Sequence, residues 1–114
     1  MSANGTVIIV NAEGLGRGDD ALGQKLMGSY LRTLATVEAV PDAVVFYNAA
    51  VKLLGADSAH LEALKALEAK GTDLLACVTC LEFYALTEAL AVGQVSNMRE
   101  IVQRTLDADK VVTV

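Results

Sequence analysis

Short apolar runs alternate along the chain with segments in which apolar residues recur every three to five positions. The first run, Thr6 to Val10, is β-branched and lacks an alternation of apolar and polar residues. This is typical of a strand that is buried on both faces of a parallel sheet. Two similar runs follow, Ala43 to Tyr47 and Leu74 to Ala76, and Val111 to Val114 supplies a last one. The pattern predicts four short strands.

Two amphipathic helices are predicted between the first three strands. One begins at a capping aspartate, Asp19 or Asp20. The strand and helix to which it belongs form a first unit that ends at Pro41. The other begins near Ser58 and ends at Gly71, a residue type that commonly follows a helix. The predicted inward positions are Leu22, Leu26, Met27, Tyr30, Leu31 and Leu34 in the first helix, and Leu61, Leu64 and Leu67 in the second.

Two more helices are predicted before the last strand. Thr79 and Glu82 have the spacing of a capping box. Asn97 and Glu100 indicate another helix start. The predicted inward positions are Leu86 and Leu90 after the capping box, and Met98, Ile101, Val102 and Leu106 in the following helix.

The alternation of strands and helices predicts a small doubly wound α/β fold. Right-handed crossovers would give a three-layer sandwich with a mainly parallel, flavodoxin-like sheet. With 114 residues the chain is expected to form a single domain, 1–114. Ligands of such folds bind outside the carboxyl ends of the strands. The segments to search are therefore 11–19, 48–54 and 77–80.

Composition narrows the classes of partner. Fourteen acidic and nine basic residues give a net charge of -5, which disfavours nucleic acid and anionic membranes. No apolar stretch approaches a membrane span, and the amino terminus lacks a signal-peptide pattern. We expect a soluble cytoplasmic protein. Because 54% of this small chain is hydrophobic, we also expect exposed apolar surface and a homo-oligomer.

A glycine-rich segment, Gly14 to Gly18, follows the first strand. A dinucleotide-binding fingerprint would need glycine or alanine where Asp19 stands, and a phosphate loop from the end of this segment is interrupted by Gln24. Two interpretations stay open. The segment is either a flexible turn capped by aspartate or one wall of a ligand pocket, with Gly16 and Arg17 as candidate binding residues.

The strongest chemical feature is the pair Cys77 and Cys80. Cys77 falls at the end of the third strand and Cys80 in the first turn of the next helix, where free amides and the helix dipole favour a thiolate. In a reducing cytoplasm such a pair is typically catalytic, redox-active or metal-binding. We expect no metal, because the single histidine, His60, lies in another helix start and no second cysteine pair exists. The alternative is two buried core side chains.

Three other polar residues lie near these strand ends. Asn48 and Lys52 follow the second strand, and Lys52 is either a stabiliser of a thiolate or bound anion or a solvated surface lysine. Asn97 is either a ligand-binding group or a plain helix cap. We assign no role to His60.

Several segments together form a recognisable pattern, namely Gly16–Asp20 with Leu22, Gly23, Leu26 and Met27, then Asn48–Leu53, Cys77–Leu81, Val92 and Gly93, and Ser96–Met98. This pattern resembles the DsrE-like sulfur-relay family. Within it, the chain is most similar to the C-terminal domain of the selenium-metabolism proteins called YedF. The resemblance implies an oligomeric doubly wound domain that needs no cofactor. It also implies a cysteine that carries sulfur as a persulfide between donor and acceptor proteins.

Departures from the family pattern qualify this expectation. Ala50 and Val78 stand where the family usually has glycine, so the backbone approaches a ligand less freely there. The chain has no room for the usual N-terminal sulfur-carrier domain, so a separate TusA-like carrier is the expected donor. The resemblance implies Cys77 as the sulfur carrier, whereas the position at a helix start favours Cys80. We expect Cys77 to carry the sulfur and Cys80 to be its resolving or assisting partner. The alternatives are a non-catalytic oligomeric binding module and a dithiol redox protein.

Overall fold

Five strands form one sheet in the order β4-β3-β2-β1-β5, and all neighbouring strands pair in parallel. The structure is a computed structural model that describes residues 3–114, with side chains from residue 5 onward. The strands are β1 (Ala3–Val10), β2 (Pro41–Phe46), β3 (Asp73–Cys77), β4 (Gln94–Ser96) and β5 (Lys110–Thr113).

Helices fill the connections between the strands. A 3-10 helix, Asn48–Leu54, begins two residues after the end of β2. No helix was predicted in this segment. The α-helices are α1 (Asp20–Thr36), α2 (Leu61–Ala69), α3 (Val78–Phe83) and α4 (Met98–Asp107). The predicted α/β class is confirmed, with a sheet that is parallel throughout.

The strand order decides which face of the sheet each helix covers. From β1 to β4 the chain steps across the sheet in one direction, so right-handed crossovers place α1, the 3-10 helix, α2 and α3 on the same face. The connection from β4 returns past β1 to β5 and brings α4 onto the opposite face. We name these the α1 face and the α4 face.

Strand side chains alternate between the two faces, as the period of a β-strand requires. Two separate apolar clusters result, and both contain fully buried residues. The α1-face cluster joins Val10, Val44, Phe46, Leu74 and Ala76 of the sheet to Met27, Leu31, Leu64, Leu67 and Leu81 of the helices. The α4-face cluster joins Val7, Ala43, Val45, Leu75 and Cys77 to Ile101.

Two predicted elements differ from the structure. The strand β4 was not predicted, because it has only three residues and buries only Ser96. Helix α3 ends at Phe83, and Ala85 then adopts a positive φ of 56°. The predicted capping box is wrong, since Cys77 occupies the N-cap position and no side chain caps this helix. The segment with Leu86 and Leu90 packs on the α1 face without helical structure.

Several predicted inward positions are also wrong. In α1, Leu22 and Leu26 are exposed, whereas Met27 and Leu31 are buried as predicted. In α4 only Ile101 is buried, and the exposed apolar side chains are Met98, Val102 and Leu106. The reason is that α4 is the only helix on its face, so nothing in the described chain covers its flank. No helix within residues 3–114 is long and apolar enough to cross a membrane.

Candidate functional site

The carboxyl ends of β1, β2 and β3 lie along one edge of the sheet, since the strands are parallel. The segments 48–54 and 77–80 meet there, as their positions after β2 and β3 predicted. Their contact is a hydrogen bond in which the main-chain N–H of Asn48 donates to Sγ of Cys80 over 3.1 Å. The two candidate segments therefore form one site.

Cys80 is the accessible member of the cysteine pair. Its side chain is partly buried and packs between the two apolar clusters, at the end of the sheet. It lines a cavity of about 410 Å³ together with Asn48, Thr79, Phe83 and Tyr84. Phe83 is 81% exposed, and its ring meets that of Tyr84 edge to face. The Cys80 thiol thus opens into a recess with two aromatic side chains in its wall.

Cys77 lies in a different environment, although both cysteines are free thiols. Its side chain points to the α4 face and is only 2% exposed. In the sheet register Cys77 stands opposite Ser96, which is also buried and donates a hydrogen bond to Glu100 of α4. The strand edge and α4 therefore shield this sulfur from solvent.

The electrostatics of Cys80 differ from the expectation for a helix start. Burial is the largest influence and raises the pKa of the Cys80 thiol above its ordinary value of 9.0. The Asn48 N–H acts in the opposite direction, while the neighbouring Cys77 thiol raises the pKa further. The overall direction is opposite to the expectation that the start of α3 favours a thiolate.

Asn48 adopts a backbone conformation that few residues accept. Its φ is +52°, in the left-handed region that asparagine tolerates better than most side chains. The Tyr84 hydroxyl donates to Oδ1 of Asn48 over 2.9 Å. One face of this residue thus binds Tyr84 while its main-chain N–H points at the Cys80 sulfur.

Lys52 reaches the site only through Tyr84. Its Nζ lies 4.6 Å from the centroid of the Tyr84 ring and 3.6 Å from Oε1 of Glu13. Lys52 was interpreted either as a stabiliser of a thiolate or bound anion or as a solvated surface lysine. The structure modifies both interpretations, because its ammonium pairs with the Glu13 carboxylate and the Tyr84 ring. The sequence analysis missed Tyr84, since a tyrosine at a helix end carries no motif of its own.

The glycine-rich segment forms a neighbouring feature. Gly16 lines a second cavity, of about 330 Å³, which also includes Ala49 beside the cysteine site. Gly16 has a φ of +81°, and Arg17 is exposed in the same loop. Asp19 caps α1 by accepting a hydrogen bond from the Leu22 N–H over 2.8 Å, as predicted. The loop is thus a capped turn that also walls a cavity, separate from the recess at Cys80.

Asn97 caps α4, which confirms one of its two interpretations. Its side chain accepts a hydrogen bond from the N–H of Glu100 over 2.9 Å. Within the described part of the chain, no group of three or more histidine, cysteine, aspartate or glutamate side chains is arranged to hold a metal ion.

The fold and the site define a class of protein, a parallel α/β domain with a cysteine pair at the carboxyl edge of its sheet. Residues 11–114 match the DsrE/DsrF-like family, so the chain belongs to that family. The resemblance found from the sequence motifs is thereby confirmed at the family level.

Solved structures with the same fold come from bacteria and an archaeon. The ychN protein of E. coli is 19% identical, with 96% of this chain and 97% of that chain covered and a TM-score of 0.65. MTH1491 from Methanobacterium thermoautotrophicum, described as a protein of unknown function, is 24% identical over 96% and 97% of the two chains, with a TM-score of 0.69. BT1422 from Bacteroides thetaiotaomicron is 17% identical over 100% and 98%, with a TM-score of 0.61. No curated protein matches the chain.

Proposed function

We propose that this protein is a sulfur-relay carrier in which the Cys77 and Cys80 pair holds transferred sulfur as a persulfide. The observation that carries the proposal is the partly exposed Cys80 thiol, which opens into a recess and accepts a main-chain hydrogen bond. Membership of the DsrE/DsrF-like family supports it. The partners are a sulfur donor of the TusA-like carrier type and an acceptor protein in the cytoplasm.

The transfer needs only thiol chemistry. A cysteine thiolate attacks the outer sulfur of a donor persulfide, a new S–S bond forms, and the donor's S–S bond breaks. The donor leaves as a thiolate, and the outer sulfur keeps its proton. The same exchange with an acceptor thiolate returns the protein to its starting state. No net oxidation occurs and no cofactor is required.

The test uses glutathione persulfide as the donor and intact-mass measurement as the readout. We expect the full chain to gain the mass of one sulfur atom, and to lose it when an acceptor thiol is added. The matched control is the double variant Cys77→Ser and Cys80→Ser, which should gain nothing. A wild-type protein that gains no sulfur would refute the relay function.

The proximity of the two cysteines favours a second candidate, a dithiol redox protein. In that case oxidation would form a reversible disulfide between Cys77 and Cys80 without persulfide chemistry. A redox titration followed by thiol alkylation separates the candidates. A reversible disulfide in a protein that takes no sulfur from the donor would favour the redox function.

We also propose that the protein forms a homo-oligomer through the α4 face. Three exposed side chains, Met98, Val102 and Leu106, follow one flank of α4, and Val111 on the same face of β5 is 42% exposed. A contact between two copies related by a twofold axis would set this apolar surface against itself. A stable oligomer with thiols that resist alkylation and no sulfur transfer would instead indicate a non-catalytic binding module.

A further inference from the structure

The two cysteines differ in how their sulfur atoms are surrounded. Cys77 is 2% exposed and lies beneath the α4 face with the buried Ser96 opposite it. Cys80 lines the recess, where an incoming persulfide can approach its sulfur. A direct displacement at sulfur needs the attacking and leaving atoms in line, so access decides which thiol reacts first.

Neighbouring residues hold the hydrogen-bond donor of Cys80 in position. The Asn48 N–H that points at Sγ belongs to a residue with a φ of +52°, so its orientation depends on an uncommon backbone conformation. The Tyr84 hydroxyl binds the side chain of the same residue. Tyr84 is in turn packed by Phe83 at its edge and by the Lys52 ammonium over its ring. The Asn48 N–H is therefore held in position by Tyr84, which is itself packed by two neighbours.

We propose that Cys80 is the thiol that first accepts sulfur, and that the main-chain N–H of Asn48, held in place by the Tyr84 hydroxyl, stabilises its anionic form. The proposal rests on the relay function proposed above. It reverses the roles implied by the family resemblance, in which Cys77 carries the sulfur. Tyr84 acts here as a positioning residue, since its hydroxyl touches Asn48 and not the sulfur.

Opposing effects act on the Cys80 thiol, and the neighbouring Cys77 is one of those that disfavour the charged sulfur. Burial disfavours the charged sulfur, while the Asn48 N–H favours it, because a hydrogen bond to the charged form stabilises that form. If the N–H loses its orientation, desolvation acts with less opposition. The thiolate then becomes rarer at any pH below the midpoint of its titration, and attack on a donor slows in proportion.

Mapping the sulfur decides the first half of the proposal. Wild type, Cys77→Ser and Cys80→Ser are each exposed briefly to glutathione persulfide, alkylated, and sequenced by peptide fragmentation. We expect Cys77→Ser to gain sulfur on Cys80 at close to the wild-type rate, and Cys80→Ser to be slower by on the order of tenfold or more.

Equal rates in the two variants, or sulfur found first on Cys77, would overturn the assignment while leaving the relay function intact. If the wild type and both variants all take up no sulfur, the proposed function itself is refuted. Circular dichroism of each variant identifies any protein that has failed to fold.

A pH profile decides the second half. In the Cys77→Ser background we compare Tyr84→Phe with Tyr30→Phe, a matched loss of a hydroxyl from α1. Tyr84→Phe keeps the ring that meets Lys52 and Phe83 and removes only the donor to Asn48. We expect the midpoint of Cys80 alkylation to move to higher pH in Tyr84→Phe and to stay unchanged in Tyr30→Phe.

Asn48→Gly provides a second route to the same link. Glycine accepts the left-handed conformation and keeps the N–H but lacks the oxygen that binds Tyr84. We expect Asn48→Gly to shift the midpoint in the same direction. Combining it with Tyr84→Phe should add little, because both changes remove the same contact. An unchanged midpoint in Tyr84→Phe, or fully additive shifts, would overturn the positioning role.

Discussion

The two faces of the sheet are covered to very different extents. On the α1 face, three α-helices and the 3-10 helix pack over the strands, and the sheet residues Val10, Val44 and Phe46 are fully buried. On the α4 face one helix contributes a single fully buried residue, Ile101, while Leu106 is 76% exposed. The same alternating strands supply both faces. The central strands are buried on both faces, but the α4 face relies on a single helix, whose outer flank stays apolar and exposed.

This difference follows from the route of the chain. Each step from β1 to β4 places another helix on the α1 face, whereas only the return to β5 crosses the α4 face. That one helix covers the central strands, where Val7, Val45 and Leu75 are buried, but it leaves Val111 of the edge strand β5 42% exposed.

The largest effect should come from truncating the α1 face. Phe46→Ala removes a fully buried ring between the sheet and its helices, and we expect it to lower the free energy of unfolding by about 3–5 kcal/mol. Urea denaturation of the purified protein measures this loss. A smaller and partly exposed side chain on the other face gives the contrast, since Val111→Ala should cost less than about 1 kcal/mol in the monomer. Equal losses would contradict the comparison.

The next effect concerns assembly through the α4 face. Met98→Lys and Leu106→Lys each place a charge on the exposed apolar flank of α4. Burying such a side chain is worth about 1.5–3 kcal/mol, so each change should weaken self-association on the order of tenfold. Sedimentation over a concentration series gives the dissociation constant.

Leu22→Lys is the control for this experiment, because Leu22 is an exposed leucine of α1 on the opposite face. It should leave the association constant unchanged. A protein that remains monomeric at high concentration, or that dissociates equally in all three variants, would exclude the proposed interface.

A smaller effect should come from the helix caps. Asn97→Ala and Asp19→Ala each remove a side-chain acceptor from the first turn of a helix, and each should cost about 1 kcal/mol of stability. The two losses should be similar, although the helices lie on different faces, because each cap acts within its own helix. A much larger loss for Asp19→Ala would indicate that this residue also supports the neighbouring loop.

The smallest effect is a pH dependence of stability, which comes from His60 on the outer side of the α1 face. His60 precedes α2, and its ring lies against Gly28 of α1. Burial, followed by the charge of Arg32, lowers the pKa of His60 below its ordinary 6.5. The folded state therefore binds this proton less readily than the unfolded state, so the contribution of His60 to stability is present above pH 6.5 and declines below it.

NMR titration of the imidazole checks this sign, and the expected midpoint lies below that of a histidine in an unfolded peptide. His60→Gln should flatten the decline of stability between neutral and mildly acidic pH. A midpoint above 6.5 would contradict the prediction, since it would mean that the folded state favours the charged ring.

The predictability of the fold depended on the strength of local patterns. Apolar runs such as Val7–Val10 and the periodic leucines of α2 are strong signals, and both elements were predicted. The strand β4 is three residues long and lies at the edge of the sheet, where pairing with β3 rather than side-chain pattern defines it. The exposure of Met98 and Leu106 depends on how many helices share their face, which no local pattern records.

The sequence predicted the location of the site but not the contacts between its side chains. The positions of Asn48 and Cys80 after neighbouring strands placed them at one edge, and the structure brings them into contact. The link through Tyr84 joins residues 36 positions apart in the chain, and it depends on where α3 ends. The raised pKa of Cys80 likewise follows from burial by tertiary packing, which sequence spacing does not report.

The position of β5 beside β1 also sets the order in which the molecule can be completed. During synthesis β1 emerges first, but one of its two partners, β5, emerges last of all the elements. Until then β1 presents an unpaired edge, and the α4 face gains its helix only shortly before, when α4 emerges. Long-range parallel pairing of this kind is slow and leaves partly folded chains prone to aggregation. The nascent chain is therefore most exposed on the face that we propose the finished protein uses to find its own copies.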